Sequence, residues 1–188
     1  MLHGLASRYF TDIRIVLYLR RQDTMLYSTY NQLVRKKRFT RDIRCLAPVL
    51  PDYHTMVHVL AATFGQENVL VRPYEQCQLR KGIYANFLAT LGLALDKKYE
   101  LPAGSGSVNA SLHQDLLEFM RHCNQLPLLK PETEILDQAL KGLCSLFLAN
   151  FKVEPLLSPR ERHELISCQA DKDAEIARTF LGRPGGEL

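Results

Sequence analysis

Arginine at the end of an apolar run puts a planar donor fork where a chain usually turns. In "DIRIVLYLRRQDTMLYSTYNQ", residues 12–32, the apolar run stops on Arg20 and Arg21, Asp23 follows, and hydroxyls come at Ser28 and Tyr30. If 13–19 is a strand and 24–37 a helix, the arginines stand at the carboxyl end of the strand. They then lie beside helix N–H groups that have no intrahelical partner. Open α/β sheets bind ligands in such crevices, and helix N-termini favour anions. Arg20 suits a phosphate held bidentately. Ser28 lies in the second turn, and helical side chains lean toward the N-terminus, so its hydroxyl can share that anion. The competing reading is structural: Arg20 or Arg21 pairs with Asp23, and Ser28 is an ordinary residue of the helix surface.

The elements that would position these residues follow from periodicity. "IRIVLYL" is continuous and β-rich, which predicts a strand buried on both faces, as in a parallel sheet. A short helix is expected over 2–10, ending near Phe10. Asp23 is the expected cap of a helix whose stripe is Leu26, Tyr30, Leu33 and Val34. Residues 38–51 read as loop. Tyr53, Met56, Val57, Leu60, Ala61 and Phe64 predict an amphipathic helix stopped by Gly65. "NVLVRPY" reads as a second strand, and Ile83, Phe87, Leu88 and Leu91 mark a helix stopped by Gly92. Residues 96–108 read as a linker, and three helices close the chain. Ser111 with Gln114, and Ser158 with Pro159 and Glu161, carry capping-box starts, and a break is expected around Ala170 to Lys172. The order αβα–αβα–ααα implies an α/β fold with few parallel strands and a helical C-terminal part.

The totals bound the function classes. A chain of 188 residues, 46% hydrophobic and 23% charged, is composed like a soluble globular protein, one domain or a large part of one. It has no apolar run near the roughly 18 residues a membrane helix needs, and no signal-peptide pattern opens it, so a cytoplasmic location is expected. Five scattered cysteines without CxxC spacing argue against a disulfide framework. The net charge of +4 is unevenly spread: residues 1–50 hold ten Lys/Arg against three Asp, and the remainder fourteen against seventeen acidic residues. The first fifty residues therefore look built to face an anion.

One resemblance gathers these features. A strand, then arginine, then serine eight residues later and tyrosine two further on is similar to the 3′-phosphate-binding segment of PAPS-dependent sulfotransferases of bacterial type. Here it reads "YLRRQDTMLYSTY", with Arg20 and Ser28 at the matching spacing. "YHTMVHVLAATFGQENVLVRPYEQCQLRKGIYANFLATLGL" resembles that family's helix, FG-x-E-N turn, strand, YE pair and helix ending in LGL. "VNASL" and "ADKDAEIARTFLGR" are similar to members that modify surface saccharides or lipids. The resemblance implies a partial P-loop-like three-layer α/β fold. It makes 1–188 one sulfotransferase-like domain, with a cofactor-binding part at 1–95, the linker at 96–108 and a helical part at 109–188. It also implies PAPS as nucleotide co-substrate and a carbohydrate or lipid-linked acceptor; no metal is expected. Arg20 and Ser28 would hold the 3′-phosphate, and Tyr74, of the YE pair, would lie beside the base. Asn86 departs from the pattern, standing where an acidic residue is common.

A larger departure lies before Leu17. The family's Gly/Ser/Thr-rich loop for the 5′-phosphosulfate has no counterpart there, since Gly4 alone cannot form it. The resemblance therefore points to the C-terminal portion of a longer enzyme, N-terminally truncated, or to a chain that has lost the chemistry. No residue is assigned as the catalytic base. The alternative is a non-catalytic anion- or nucleic-acid-binding module that uses the basic first fifty residues. Nucleic acid is not the expected partner.

Other signals carry less. "AGSGS" at 103–107 has phosphate-loop glycines but follows Pro102, with no strand leading in. "RKG" at 80–82 matches a sulfotransferase string in the wrong place. His54 and His58 are four apart on a helix, the spacing of a metal pair, yet no third ligand lies near them in sequence. "RKKR" at 35–38 suits an anion, and equally the C-terminus of a helix. Asn109 opens a glycosylation sequon whose Ser111 is better used as a cap.

Overall fold

The computed structural model describes residues 2–75, 79, 82–94, 111–150 and 155–186, with backbone alone at 2–3 and 145–150. The expected linker at 96–108, the "AGSGS" stretch, Asn109, and Arg80 and Lys81 of "RKG" lie outside the described residues. The chain divides into two compact units that are discontinuous in sequence: Met1–Arg21, Pro51–Leu101 and Ile166–Leu188 form the first, and Gln22–Leu50 and Pro102–Leu165 the second.

The first unit holds the sheet. β1 (Ile15–Leu19) pairs in parallel with β2 (Val69–Pro73), in a register running from Ile15 opposite Val69 to Leu19 opposite Pro73. Side chains alternate along a strand, so each strand offers one set to each face. Ile15, Leu17 and Leu19, with Val69 and Val71, point into a core completed by Tyr53, Val57 and Ile176. Those partners come from α3 (Tyr53–Phe64) and α8 (Ala170–Leu181). The other set is Val16, Tyr18, Leu70 and Arg72, faced by α4 (Gly82–Thr90). This corrects the expectation of a strand buried on both faces. Leu19 alone of the five β1 residues is buried: among the described residues β1 is paired on one edge, and one face of the strand pair carries Tyr18 and Arg72.

Local signals set the boundaries of α3 well. The Asp52 Oδ1 accepts the Thr55 N–H at 3.2 Å, an N-cap, and Gly65 ends the helix at φ +91°, where a side chain would be strained. The opening helix, α1, is shorter than expected, Leu2–Ala6, with turns carrying on to Phe10.

The second unit is helical. α2 (Gln22–Lys37) lays Leu26, Tyr30 and Val34 into a core with Leu112, Leu116, Leu117, Met120, Leu140 and Leu157. Those partners lie on or beside α5 (Gln114–Cys123) and α6 (Lys130–Asn150), and just ahead of α7 (Pro159–Ser167). Asp23 sits inside the first turn of α2, which begins at Gln22, instead of capping it. The expected loop at 38–51 contains a 3-10 helix, Ile43–Val49, capped by Asp42, and it buries Ile43 and Leu46.

The two expected capping boxes part ways. At α7 the box forms in full: the Glu161 carboxylate accepts from the Ser158 N–H at 2.7 Å, and the Glu161 N–H donates to Ser158 Oγ at 3.3 Å. At α5 it does not. The cap is His113, whose Nδ1 accepts the Asp115 N–H at 3.3 Å, while Gln114 Oε1 accepts the Leu156 N–H instead. The expected break in the closing helix falls between Ser167 and Ala170.

Candidate functional site

The parallel register decides what stands at the carboxyl end of the sheet. Leu19 opposes Pro73, so residues 20 and 74 each stand one step past the last rung. The Tyr74 N–H donates to the Leu19 carbonyl at 2.6 Å and holds the two ends together. Even-numbered side chains share the polar face, which brings Tyr18, Arg20, Arg72 and Tyr74 to one side. The Arg20 guanidinium lies over the Tyr74 ring at 4.3 Å from its centroid, within cation–π range. Tyr18 meets Tyr74 edge to face, with centroids 6.2 Å apart at 88°.

Neighbouring elements fix this cluster. The Tyr18 hydroxyl donates to Asn86 Oδ1 at 2.7 Å, and Arg72 Nε donates to Thr90 Oγ1 at 3.2 Å, both partners lying on α4. Burial raises the Tyr18 phenol above its ordinary value, partly opposed by Thr90 and Arg72, so the hydroxyl stays a donor. Asn86, the departure from the family pattern, is thus the acceptor that orients Tyr18. Beneath Arg20, the Tyr53 hydroxyl takes up the Arg20 main-chain N–H; burial raises the Tyr53 phenol, and this hydrogen bond partly offsets it. Arg20 is therefore anchored by its backbone while its guanidinium rests on an aromatic face. A guanidinium can engage a phosphate through its N–H groups, and an aromatic face suits a flat base.

Of the residues expected to bind the cofactor, the structure brings Arg20 and Tyr74 together. Ser28 is half-buried on α2, in the second unit. Asp23 is held by Arg162: Nη2 donates to Asp23 Oδ2 at 2.7 Å and Nε at 3.1 Å. Arg162 lies 139 residues away in sequence, which is why no local pattern names it.

Within "RKKR", much of the charge is committed to structure. Arg35 Nε donates to Asp137 Oδ1 at 2.6 Å, and Lys36 and Lys141 approach the other oxygen at 3.4 and 2.9 Å. Arg38, at φ +54°, donates to the carbonyls of Leu128, Leu126 and Asn124.

The histidine pair gains a partner absent from the sequence pattern. Glu175 on α8 reaches both His54 and His58 on α3.

No family model matches the chain, and no solved structure matches it. Among curated proteins it is similar to an uncharacterized protein of Archaeoglobus fulgidus, 31% identical over 134 residues. That match covers 68% of this chain and 36% of the archaeal protein, so the chain spans about a third of that relative. Among the described residues, no helix is long and apolar enough to cross a membrane.

Proposed function

We propose that this chain is the part of a PAPS-dependent sulfotransferase that grips the 3′-phosphate and adenine of the co-substrate. The observation that carries the reading is the placement of the Arg20 guanidinium on the Tyr74 ring at the carboxyl end of a parallel strand pair. Two residues that the family resemblance assigns to one nucleotide, 54 positions apart, are neighbours for a reason of register. The proposed contact is carried by Arg20 and Tyr74; Ser28 keeps the family spacing as its only support. In the whole enzyme a sulfuryl group would pass from PAPS to a hydroxyl of a carbohydrate or lipid-linked acceptor, releasing PAP. Catalysis of such in-line transfers rests largely on preorganised donors and cations.

A charge-assisted hydrogen bond contributes about 1.5–3 kcal/mol. Calorimetric titration should therefore show PAP bound in preference to ADP, which lacks the 3′-phosphate, and Arg20→Ala should weaken PAP by about tenfold or more. Equal affinities for PAP and ADP, or an Arg20→Ala affinity equal to wild type, would overturn the reading. The alternative, a polyanion-binding module built on the basic first fifty residues, is less favoured because Arg35 and Arg38 already serve Asp137 and three carbonyls.

A further inference from the structure

On the α3 and α8 side of the first unit, three ligand-bearing side chains converge. His54 Nε2 lies 3.0 Å from Glu175 Oε2, His58 Nε2 lies 3.1 Å from His54 Nε2, and His58 Nε2 lies 3.4 Å from Glu175 Oε1. The core just beneath explains the convergence. Val57, between the two histidines, and Ile176, next to Glu175, are both fully buried in the same cluster. Packing these two residues turns one helical face, with histidines at i and i+4, toward the first turns of α8. Phe180, one helical turn and a residue past Glu175, tilts against the His58 ring at 5.7 Å and limits its rotation.

An unprotonated Nε2 and a carboxylate oxygen each offer a lone pair. One ligand atom from each of the three side chains can be chosen so that all lie within 4.8 Å of one another, and a cation placed among them accepts those lone pairs at once. The spacing also suits one: with metal–nitrogen bonds of about 2.0–2.1 Å, tetrahedral ligand atoms stand about 3.3–3.4 Å apart.

We infer that His54, His58 and Glu175 form a binding site for a divalent transition metal of zinc's class. Two borderline imidazoles with one hard carboxylate suit zinc or cobalt better than magnesium or calcium, which prefer all-oxygen shells. Three protein ligands leave a fourth tetrahedral position for water or an oxygen ligand. The site is independent of the proposed nucleotide contact and uses none of its residues. It departs from the expectation of no metal, which rested on there being no third ligand near the histidines in sequence.

Cobalt(II) is the direct probe, because its visible d–d bands report coordination. Titrating the metal-free chain with cobalt(II) should saturate at one equivalent with four-coordinate bands, and zinc should displace it. Glu175→Gln and His58→Ala should each weaken cobalt and zinc binding by at least tenfold. All three side chains are partly exposed, so both variants should fold; far-UV circular dichroism checks this, and the Glu175→Gln result decides if His58→Ala does not fold. Three results would overturn the site: no saturable cobalt band, wild-type affinity in a folded Glu175→Gln variant, or the near-ultraviolet band of thiolate ligation, which would place the metal on cysteine.

Discussion

The Arg20 guanidinium lies 4.3 Å above the Tyr74 ring, and the two residues follow the last paired rung of neighbouring parallel strands. The cation is thereby held against an aromatic face at the carboxyl end of the sheet. In the proposed nucleotide site the two side chains act as a unit, one for the phosphate and one for the base.

A double-mutant cycle tests that unit. Tyr74→Leu removes the platform and leaves Arg20 less oriented, so PAP affinity should fall several-fold. The Arg20→Ala and Tyr74→Leu effects should fall short of additivity by about 1 kcal/mol, the scale of a cation–π contact and of coupling between touching residues. Full additivity by calorimetry would mean that the ring does not position the arginine.

Asp137 should be a stability hot spot of the second unit. Its carboxylate is buried and accepts from Arg35, with Lys36 and Lys141 also near. Asp137→Asn removes a buried charge that three cations share, Arg35 among them, a loss on the order of 3 kcal/mol. Urea unfolding followed by circular dichroism should show the midpoint moved down accordingly, whereas an unchanged midpoint would mean the pair is not buried in solution.

Acid should unfold the chain over a defined window. Asp52, hydrogen-bonded by Lys172 and by the Thr55 main chain, is lowered from 3.8 to about 2. Asp137 is also lowered to about 2: burial pushes it up, and the hydrogen bonds from Arg35 and Lys141 outweigh that. Arg44, and then Ser158, lower Glu161 from 4.5 to about 2. Each group is depressed in the folded chain, so its stabilisation is full above the ordinary value and is lost as pH falls toward about 2. Melting temperatures should therefore decline from about pH 4.5 down to pH 2, and Glu161→Gln should make that decline shallower while lowering stability at neutral pH. A decline of unchanged steepness in the variant would remove Glu161 from the account.

Ser158→Ala tests the cap of α7. The Ser158 Oγ accepts the Glu161 N–H and donates to the Glu161 carboxylate at 2.7 Å. Losing it should cost about 1 kcal/mol, read as a lower urea midpoint, with Ser158→Thr restoring most of it. Equal midpoints for all three proteins would show that the cap contributes nothing in solution.

What was legible in the sequence shares one physical basis, that the cause lies within a few residues of the effect. The span of α3, with Gly65 at its end, and the Ser158–Glu161 box follow from contacts of four residues or fewer, and the second strand from the residue types of its own short run. The α5 start shows the limit of such reasoning. Ser111 and Gln114 fit a capping pattern, but Gln114 is drawn to Leu156, 42 residues on, and His113 takes the cap.

The sequence alone shows that Arg20 follows one strand, that Tyr74 follows another, and that His54 and His58 share a helical face. The tertiary structure alone decided which of these meet. Parallel register set Arg20 beside Tyr74, burial of Val57 against Ile176 carried Glu175 to the two histidines, and Arg162 came from far along the chain to hold Asp23. Register and helix packing are settled by the burial of apolar side chains distant in sequence, and the polar residues beside them are carried into place by that burial.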